Sequence, residues 1–426
     1  MKNVIGALRS RGLIESETTP DLADLVEKSK PISVYCGFDP TADSLHLGHM
    51  MGIMGLAWFY KFGHNPVALV GGATGIIGDP SGKSQERNLL NKEELQKNVT
   101  GIKKLLDVIL GRIGEKAPIT VLNNNDWLYP MSCVDFLRDV GRHFRVGVML
   151  GRESVRARLA SEEGMSYTEF SYQLLQAYDF YHLCVNNNVT MQVGGADQWG
   201  NITAGVDFVR KMTGKEVWGL TFPLLLRSDG KKFGKSEKGA IWLSEDKLSC
   251  YDFYQYLFRT GDQDVIRLLK ALTFVELEEI ATLEASMKRQ DYAPNTVQKR
   301  LAEEVTRLVH GEEGLQKARL ITEQAQPGSE GAAFTLEAIK TILGQVPTAS
   351  LARDAVVGTR IADVIAAAAF LPSKAEARRL ILNGGVSLGS RKIVDEFDLV
   401  VESDLIEGRY LVFSLGKKNR AVVEVG

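Results

Sequence analysis

Four cysteines in 426 residues, at positions 36, 133, 184 and 250, are too few and too scattered for a disulfide framework, and they fit a reducing compartment. No apolar run approaches the length needed to cross a bilayer, and the opening Met1-Lys2-Asn3-Val4 leads into no signal segment. Charge of one sign is missing too: 51 Lys and Arg stand against 53 Asp and Glu, a formal net of −2. Without a global basic field, any nucleic acid must be met by local patches. Histidine is scarce, six in all, and no Cys, His or carboxylate recurs at a metal-ligand spacing, so no protein-bound metal is expected. These absences lead us to expect a cytoplasmic chain with no membrane contact. What is present, 44% hydrophobic and 24% charged residues, suits a globular protein long enough for roughly two to four domains.

The chain is organised around the stretch Val34 to His49. Pro31 to Cys36 is short, apolar and β-branched, and reads as a buried strand. Gly37 and Pro40 break it, Asp43 or Ser44 can cap the next helix, and apolar residues from Leu45 to Tyr60 recur at helical spacing. Strand, polar turn and helix form the opening unit of an open parallel sheet, where ligands bind beyond the strands' carboxyl ends. His46 and His49, three apart, leave the first helical turn on one face, where free N–H groups welcome phosphate.

Further strands are expected at Pro66–Gly72, Ile119–Leu122, Val189–Gly195 and Leu220–Leu226. The loop Gly78-Asp79-Pro80-Ser81-Gly82-Lys83 is not a Walker P-loop: only three residues separate its glycines, and Ile77 stands where the first Gly belongs. It remains a basic loop, with Lys83 and Arg87, beyond a strand end. Tyr172, Gln176 and Asp179 fall on one face of an otherwise apolar helix, a polar stripe that needs partners. Asp197 comes after Gly194-Gly195 at another strand end, a placing that suits ribose hydroxyls. Arg227 to Gly239 is a glycine-punctuated, lysine-dense loop, a mobile anion clamp by its composition.

Residues 1–243 thus read as a Rossmann-like α/β domain, with a helix-rich insertion at about 130–165 and the lysine loop at 228–239. Residues 244–325 read as a helical domain, 326–358 as a linker, and 359–426 as a small α+β module. The module's Ser373–Ile381 segment is a capped helix with its basic residues on one side.

His46-Leu47-Gly48-His49 and Lys232-Phe233-Gly234-Lys235-Ser236, in this order on a parallel sheet, resemble the two signatures of class I aminoacyl-tRNA synthetases. Tyr35 to Ser44, Gly78 to Lys83 and Ala196-Asp197-Gln198-Trp199-Gly200-Asn201 resemble the bacterial tyrosyl-tRNA synthetase family, and the last module resembles its S4-type RNA-binding tail. The resemblance implies activation of L-tyrosine by ATP with Mg²⁺, then transfer to the 3′ end of tRNA(Tyr), by a homodimer. It implies that His46, His49 and Thr41 meet the triphosphate, while Lys83, Arg87, Lys232, Lys235 and Ser236 close on pyrophosphate. Cys36, Gly37, Asp39, Gly195 and Asp197 would meet the nucleoside. Asp79, Tyr172 and Gln176 would hold the ammonium of tyrosine, Tyr35 and Asp179 its phenol, and Gln198 would lie near its carboxylate. Lys374, Arg378, Arg379, Arg391 and Lys392 would contact tRNA. Phe136, Leu137, Val140, Phe144, Val146, Val148, Met149 and Leu150 are more apolar surface than the insertion can bury alone, and fit the implied dimer interface. Gly52, one turn beyond His49, departs at a position where family members vary and bears on ATP affinity. Two rivals stand beside this reading: a related transferase such as the tryptophan-specific enzyme, and a catalytically silent RNA-binding protein on a synthetase scaffold.

Overall fold

The structure, a computed structural model, describes residues 3–81, 91–113, 119–162, 164–236, 239–325, 334–343, 346–416 and 419–426. Lys83 and Arg87 lie outside the described residues, as do the side chains of Lys235 and Ser236. The described chain divides into two units, residues 1–312 and 313–426.

The first unit is built on a sheet of six strands. These are β1 (Ser16–Glu17), β2 (Ser33–Phe38), β3 (Asn65–Val70), β4 (Thr120–Asn123), β5 (Val189–Gly195) and β6 (Trp218–Phe222). Their order is β1-β6-β5-β2-β3-β4, with β1 antiparallel to β6 and every other pair parallel. From β2 the chain steps outward to β3 and β4, then crosses back to lay β5 on the other side of β2. The reversal opens a crevice above the carboxyl ends of β2 and β5, the place where a doubly wound sheet holds ligand. Helices Met50–Lys61, Lys92–Ile113, Tyr167–Asn186 and Trp199–Thr213 fill the intervals. Met50–Lys61 is buried on nearly every side, which explains why its sequence is apolar beyond a single stripe.

Three of the expectations shift. The last strand of the sheet ends at Phe222, not Leu226, because Pro223 has no N–H to give the ladder. The first helix is capped by neither Asp43 nor Ser44. Ser44 Oγ donates to Leu45 O at 2.9 Å and accepts from Ser244 N at 3.3 Å, while Asp43 is ion-paired to Lys97 and Lys247. His46 caps a 3₁₀ turn, Leu47–His49, which passes into the helix at Met50. Within 326–358, the expected linker, Leu336–Ile342 is helical and Thr348–Leu351 is a strand.

A helical region continues the first unit through Cys250–Phe258, Asp262–Leu272, Leu277–Ser286 and the start of Thr296–Ala325. That last helix is broken at Gly311, whose φ of +77° is left-handed. The second unit holds a five-stranded sheet of β7 (Thr348–Leu351), β8 (Val386–Leu388), β9 (Arg391–Ile393), β10 (Tyr410–Leu415) and β11 (Asn419–Val425). Helices Ile361–Ala367 and Lys374–Leu382 complete it. Their Ile361, Ile365, Ala377 and Ile381 are fully buried with Val386, Phe413 and Val423 in one core. Among the described residues, no helix is long and apolar enough to cross a membrane.

Candidate active site

A cavity of about 320 Å³ opens at the crevice. Tyr35, Cys36, Gly37, Asp39, Thr41, His46, His49, Asp79, Tyr172, Gln176, Asp179, Gly195, Asp197, Gln198 and Lys232 all line it. They come from the ends of β2, β3 and β5, one face of the Tyr167–Asn186 helix and the lysine loop.

At the inner end, Asp179 is buried and accepts from Trp127 Nε1 at 2.7 Å and from Asn124 Nδ2 at 3.0 Å. Burial outweighs those two donors and pushes its carboxyl up to about 7. Tyr35 is 1% exposed, and its hydroxyl has no hydrogen-bond partner among the described residues. Burial, then the charge of Asp179, holds the Tyr35 phenol well above its ordinary range, so it stays protonated. An unpaired buried hydroxyl costs stability and is retained where a ligand completes it.

From Asp179 a chain of polar side chains runs along the cavity wall. Asn124 Nδ2 donates also to Thr74 Oγ1 at 3.0 Å, Thr74 Oγ1 donates to Asp39 Oδ1 at 2.8 Å, and Tyr172 Oη donates to Asp39 Oδ2 at 2.7 Å. A second cluster surrounds Asp79, which accepts from Ser81 N at 2.9 Å, Gln198 Nε2 at 2.5 Å and Asn201 Nδ2 at 3.3 Å. Asn201 Nδ2 also reaches Gln176 Oε1 at 3.1 Å. Two carboxylates, Asp39 and Asp79, thus line the same cavity, a setting for a ligand cation.

At the outer end, His46 Nδ1 accepts the Gly48 N–H at 3.1 Å, and His49 Nδ1 accepts the His46 N–H at 3.2 Å. The rings lie 4.1 Å apart. The backbone N–H groups expected to welcome phosphate are thus partly taken by the histidines themselves. With Nδ1 as acceptor, the ring proton of His46 sits on Nε2, and anion contact passes to the imidazole edge. Leu47 N donates to Ile241 O at 2.8 Å, Leu243 N to Leu45 O at 2.9 Å, and His46 pairs with Trp242. The exit of the lysine loop is therefore laced to the histidine turn. Gly52 lies directly on β2, where a Cβ would stand 2.9 Å from Cys36 Sγ, so no side chain fits there without movement.

Asn124, Thr74, Trp127 and Asn201 escaped the sequence reading, though each orients a residue that it found. The signal was present at Asn123-Asn124-Asn125: a run of amides at a strand's carboxyl end stands where ligands bind. In the second unit, the basic residues singled out from sequence stand beside acids. Lys374 is 3.4 Å from Asp363, Arg378 3.6 Å from Glu396 and Arg379 3.9 Å from Glu376. Arg391 is held by Asp404 through two bonds, of 2.7 and 3.1 Å, while Lys392 is exposed.

Residues 27–325 match the family described as tRNA synthetases class I (W and Y), which leaves tyrosine and tryptophan enzymes open. Residues 338–423 match the tyrosine–tRNA ligase SYY-like C-terminal domain. The chain is 51% identical over 425 residues to the tyrosine–tRNA ligase of Protochlamydia amoebophila, covering 100% of this chain and 99% of that one. The chain belongs to the tyrosyl-tRNA synthetases. It is also 52% identical to the chloroplastic/mitochondrial tyrosine–tRNA ligase of Arabidopsis thaliana, over 99% of this chain and 84% of the relative. Among solved structures, a C-terminally truncated mitochondrial tyrosyl-tRNA synthetase of Aspergillus nidulans superposes with a TM-score of 0.67 at 34% identity, covering 76% of this chain and 94% of that one. Tyrosyl-tRNA synthetase membership disposes of the tryptophan-specific rival, and the Rossmann-like parallel sheet is the family's.

Proposed function

We propose that this cavity carries out the tyrosine–tRNA ligase reaction of the family, with L-tyrosine at the inner end and ATP at the outer. The carboxylate of tyrosine attacks the α-phosphorus; a new P–O bond forms, the α–β bridging P–O bond breaks, and pyrophosphate leaves with its electron pair. A hydroxyl at the 3′ end of tRNA(Tyr) then attacks the tyrosyl carbonyl and AMP leaves. No side chain need act as nucleophile, so catalysis is positioning and charge stabilisation.

In this reading Tyr35 and Asp179 bond the phenol of tyrosine. Asp79, Tyr172 and Gln176, with Asp39 behind Tyr172, hold its ammonium, and Gln198 lies by its carboxylate. Cys36, Gly37, Asp39, Gly195 and Asp197 take the nucleoside; burial pushes the Cys36 thiol up to about 12, so it serves as a neutral contact. His46, His49 and Thr41 face the triphosphate. Lys83, Arg87, Lys232, Lys235 and Ser236 act on the departing pyrophosphate, and Mg²⁺ arrives with ATP as part of the substrate.

The unpartnered buried hydroxyl of Tyr35 beside Asp179 carries this assignment. The test is tyrosine-dependent pyrophosphate exchange, repeated with phenylalanine. Tyr35→Phe is expected to narrow the preference for tyrosine roughly fivefold to tenfold, the worth of one hydrogen bond to the phenol. An unchanged ratio in a folded variant removes Tyr35 from the role. Absence of exchange in the unsubstituted protein would return the silent RNA-binding reading.

We further propose a homodimer through the insertion, supported by apolar side chains left in water there. Val134 is 73% exposed, Val148 64% and Val146 60%, and Leu137 and Leu150 are exposed as well. Val140 and Met149, expected to share that surface, are buried within the unit against Leu174 and Phe208. Sedimentation at micromolar concentration should show a dimer, and Val148→Asp should shift it to monomer; a monomeric unsubstituted protein overturns this. The tail's basic residues contact tRNA in competition with their acidic neighbours, so binding weakens steeply with salt. Four unbridged cysteines support a cytoplasmic setting.

A further inference from the structure

We infer that Tyr256 positions the lysine-bearing loop, acting through Gly234 rather than by touching substrate. The inference rests on the proposed role of Lys232 and Lys235 at the leaving pyrophosphate. Lys232, Phe233 and Gly234 line the cavity, whereas Tyr256, on the Cys250–Phe258 helix, stands behind them.

Its phenol oxygen accepts the Gly234 N–H at 3.0 Å, and its ring packs on that of Phe233 with centroids 5.3 Å apart. Phe233 and Gly234 are both buried. Gly234 has a φ of +91°, and a Cβ there would stand 3.1 Å from Gly48 N and from Leu47 Cβ. The loop backbone is thus pressed against the histidine turn at this one residue, which only glycine allows. Gly234 O accepts the Ile241 N–H at 2.9 Å, so both backbone groups of the residue are committed, one forward and one to Tyr256.

A second grip holds the other limb of the loop. Asp264 accepts from Ser228 N at 3.2 Å and is ion-paired to Arg267 at 3.0 Å, and Arg267 donates to Leu226 O. Phe233 N donates to Leu225 O at 2.7 Å and closes the two limbs together. Two helices of the helical region therefore fix the loop from outside the cavity: Asp264 and Arg267 at its base, Tyr256 immediately before Lys235. Lysine charges stabilise a developing anion only if the backbone carrying them is already placed, so that no reorganisation is needed as the charge forms. Tyr256 supplies that placement at the residue between the two lysines' attachment points.

The experiment uses the full-length chain with Tyr256→Phe, which keeps the ring packing and removes the acceptor, leaving a buried N–H unpaired. Single-turnover formation of tyrosyl-adenylate is expected to slow about tenfold, with tyrosine affinity essentially unchanged and the melting temperature lowered by only about 1–4 °C. In a background carrying both Lys232→Ala and Lys235→Ala, Tyr256→Phe should cost less than about twofold more, because a residue that acts through these lysines has nothing left to position. A rate within about twofold of the unsubstituted protein overturns the proposal. So does a full effect in the background that lacks both lysines, or a matching loss of tyrosine affinity, since either denotes general structural support. Failure of the parent reading looks different: Lys235→Ala itself then leaves the rate intact.

Discussion

His46→Ala is expected to slow tyrosyl-adenylate formation about a hundredfold while changing tyrosine affinity by less than about twofold. The asymmetry comes from where the bonds run. The tyrosine-side residues are tied together through Asn124, Thr74 and Asn201, a set to which His46 does not belong. His46 is held instead by Gly48 and by its pairing with Trp242. Its Nε2–H is a fixed donor at the outer end, where negative charge grows only as the α-phosphorus is attacked. A donor of this kind acts in the transition state and leaves ground-state binding alone. Lys235→Ala should cost at least as much, because a full charge is lost rather than a dipole. Single-turnover kinetics beside equilibrium dialysis of tyrosine decide the matter. If tyrosine affinity fell as far as the rate did, the residue concerned would belong to the amino-acid site and not to the phosphate site.

Ending the chain at Ala325 should leave tyrosine-dependent pyrophosphate exchange within about twofold of the full-length rate, yet lower tRNA charging about a hundredfold or more. Every residue assigned to the first chemical step lies before residue 237, and the sheet that carries them has its own core, with Tyr35, Phe180 and Val189 buried together. Lys374, Arg378, Arg379, Arg391 and Lys392 are lost with the tail. Their acidic neighbours make the tail a patch that exchanges partners, not a permanent anion trap. Phosphate must displace Asp363 from Lys374 and Glu396 from Arg378, both weak, partly exposed pairs. Arg391, bonded twice to Asp404, is the hardest of the five to free. Full charging by the shortened chain, measured with labelled tyrosine, would release the tail from any part in tRNA binding.

The sequence was legible wherever function depends on local pattern. A β-branched run, a Gly/Pro break and a helical apolar period gave β2 to within two residues and the end of the helix behind it to within one, whereas that helix begins at Met50, five residues after Leu45. The polar stripe of Tyr172, Gln176 and Asp179 was visible because an apolar helix left it no reason to exist but partners. Legibility failed wherever a side chain is claimed from far away. Asp43 and Ser44 are good caps by composition, yet Lys97, Lys247 and Ser244 take them, and none of these lies near in sequence. Asn124 looked like the frayed end of a strand until Asp179, Thr74 and Ala73 closed on it. Thr348–Leu351 is too short and too mixed to read as a strand alone; it exists because β11 offers a parallel edge to pair with. The resemblance implies a tRNA contact for Arg391, and only folding brings Asp404 to it.

The lacing of Leu45–Leu47 to Ile241–Leu243 also gives the site an order of birth. The two segments are about two hundred positions apart, so their pairing is among the most distant contacts in the domain and among the costliest to close. A chain growing from its amino end has the whole inner wall, through Asn201, well before Leu243 has been made. The inner end can take shape while the outer end still lacks one of its two edges. A half-finished chain of this kind carries the residues assigned to tyrosine and to the nucleoside but lacks Lys232 and Lys235, assigned to the departing pyrophosphate. The lysine loop, with two of the charges assigned to pyrophosphate, is thus the last part of the site to be made.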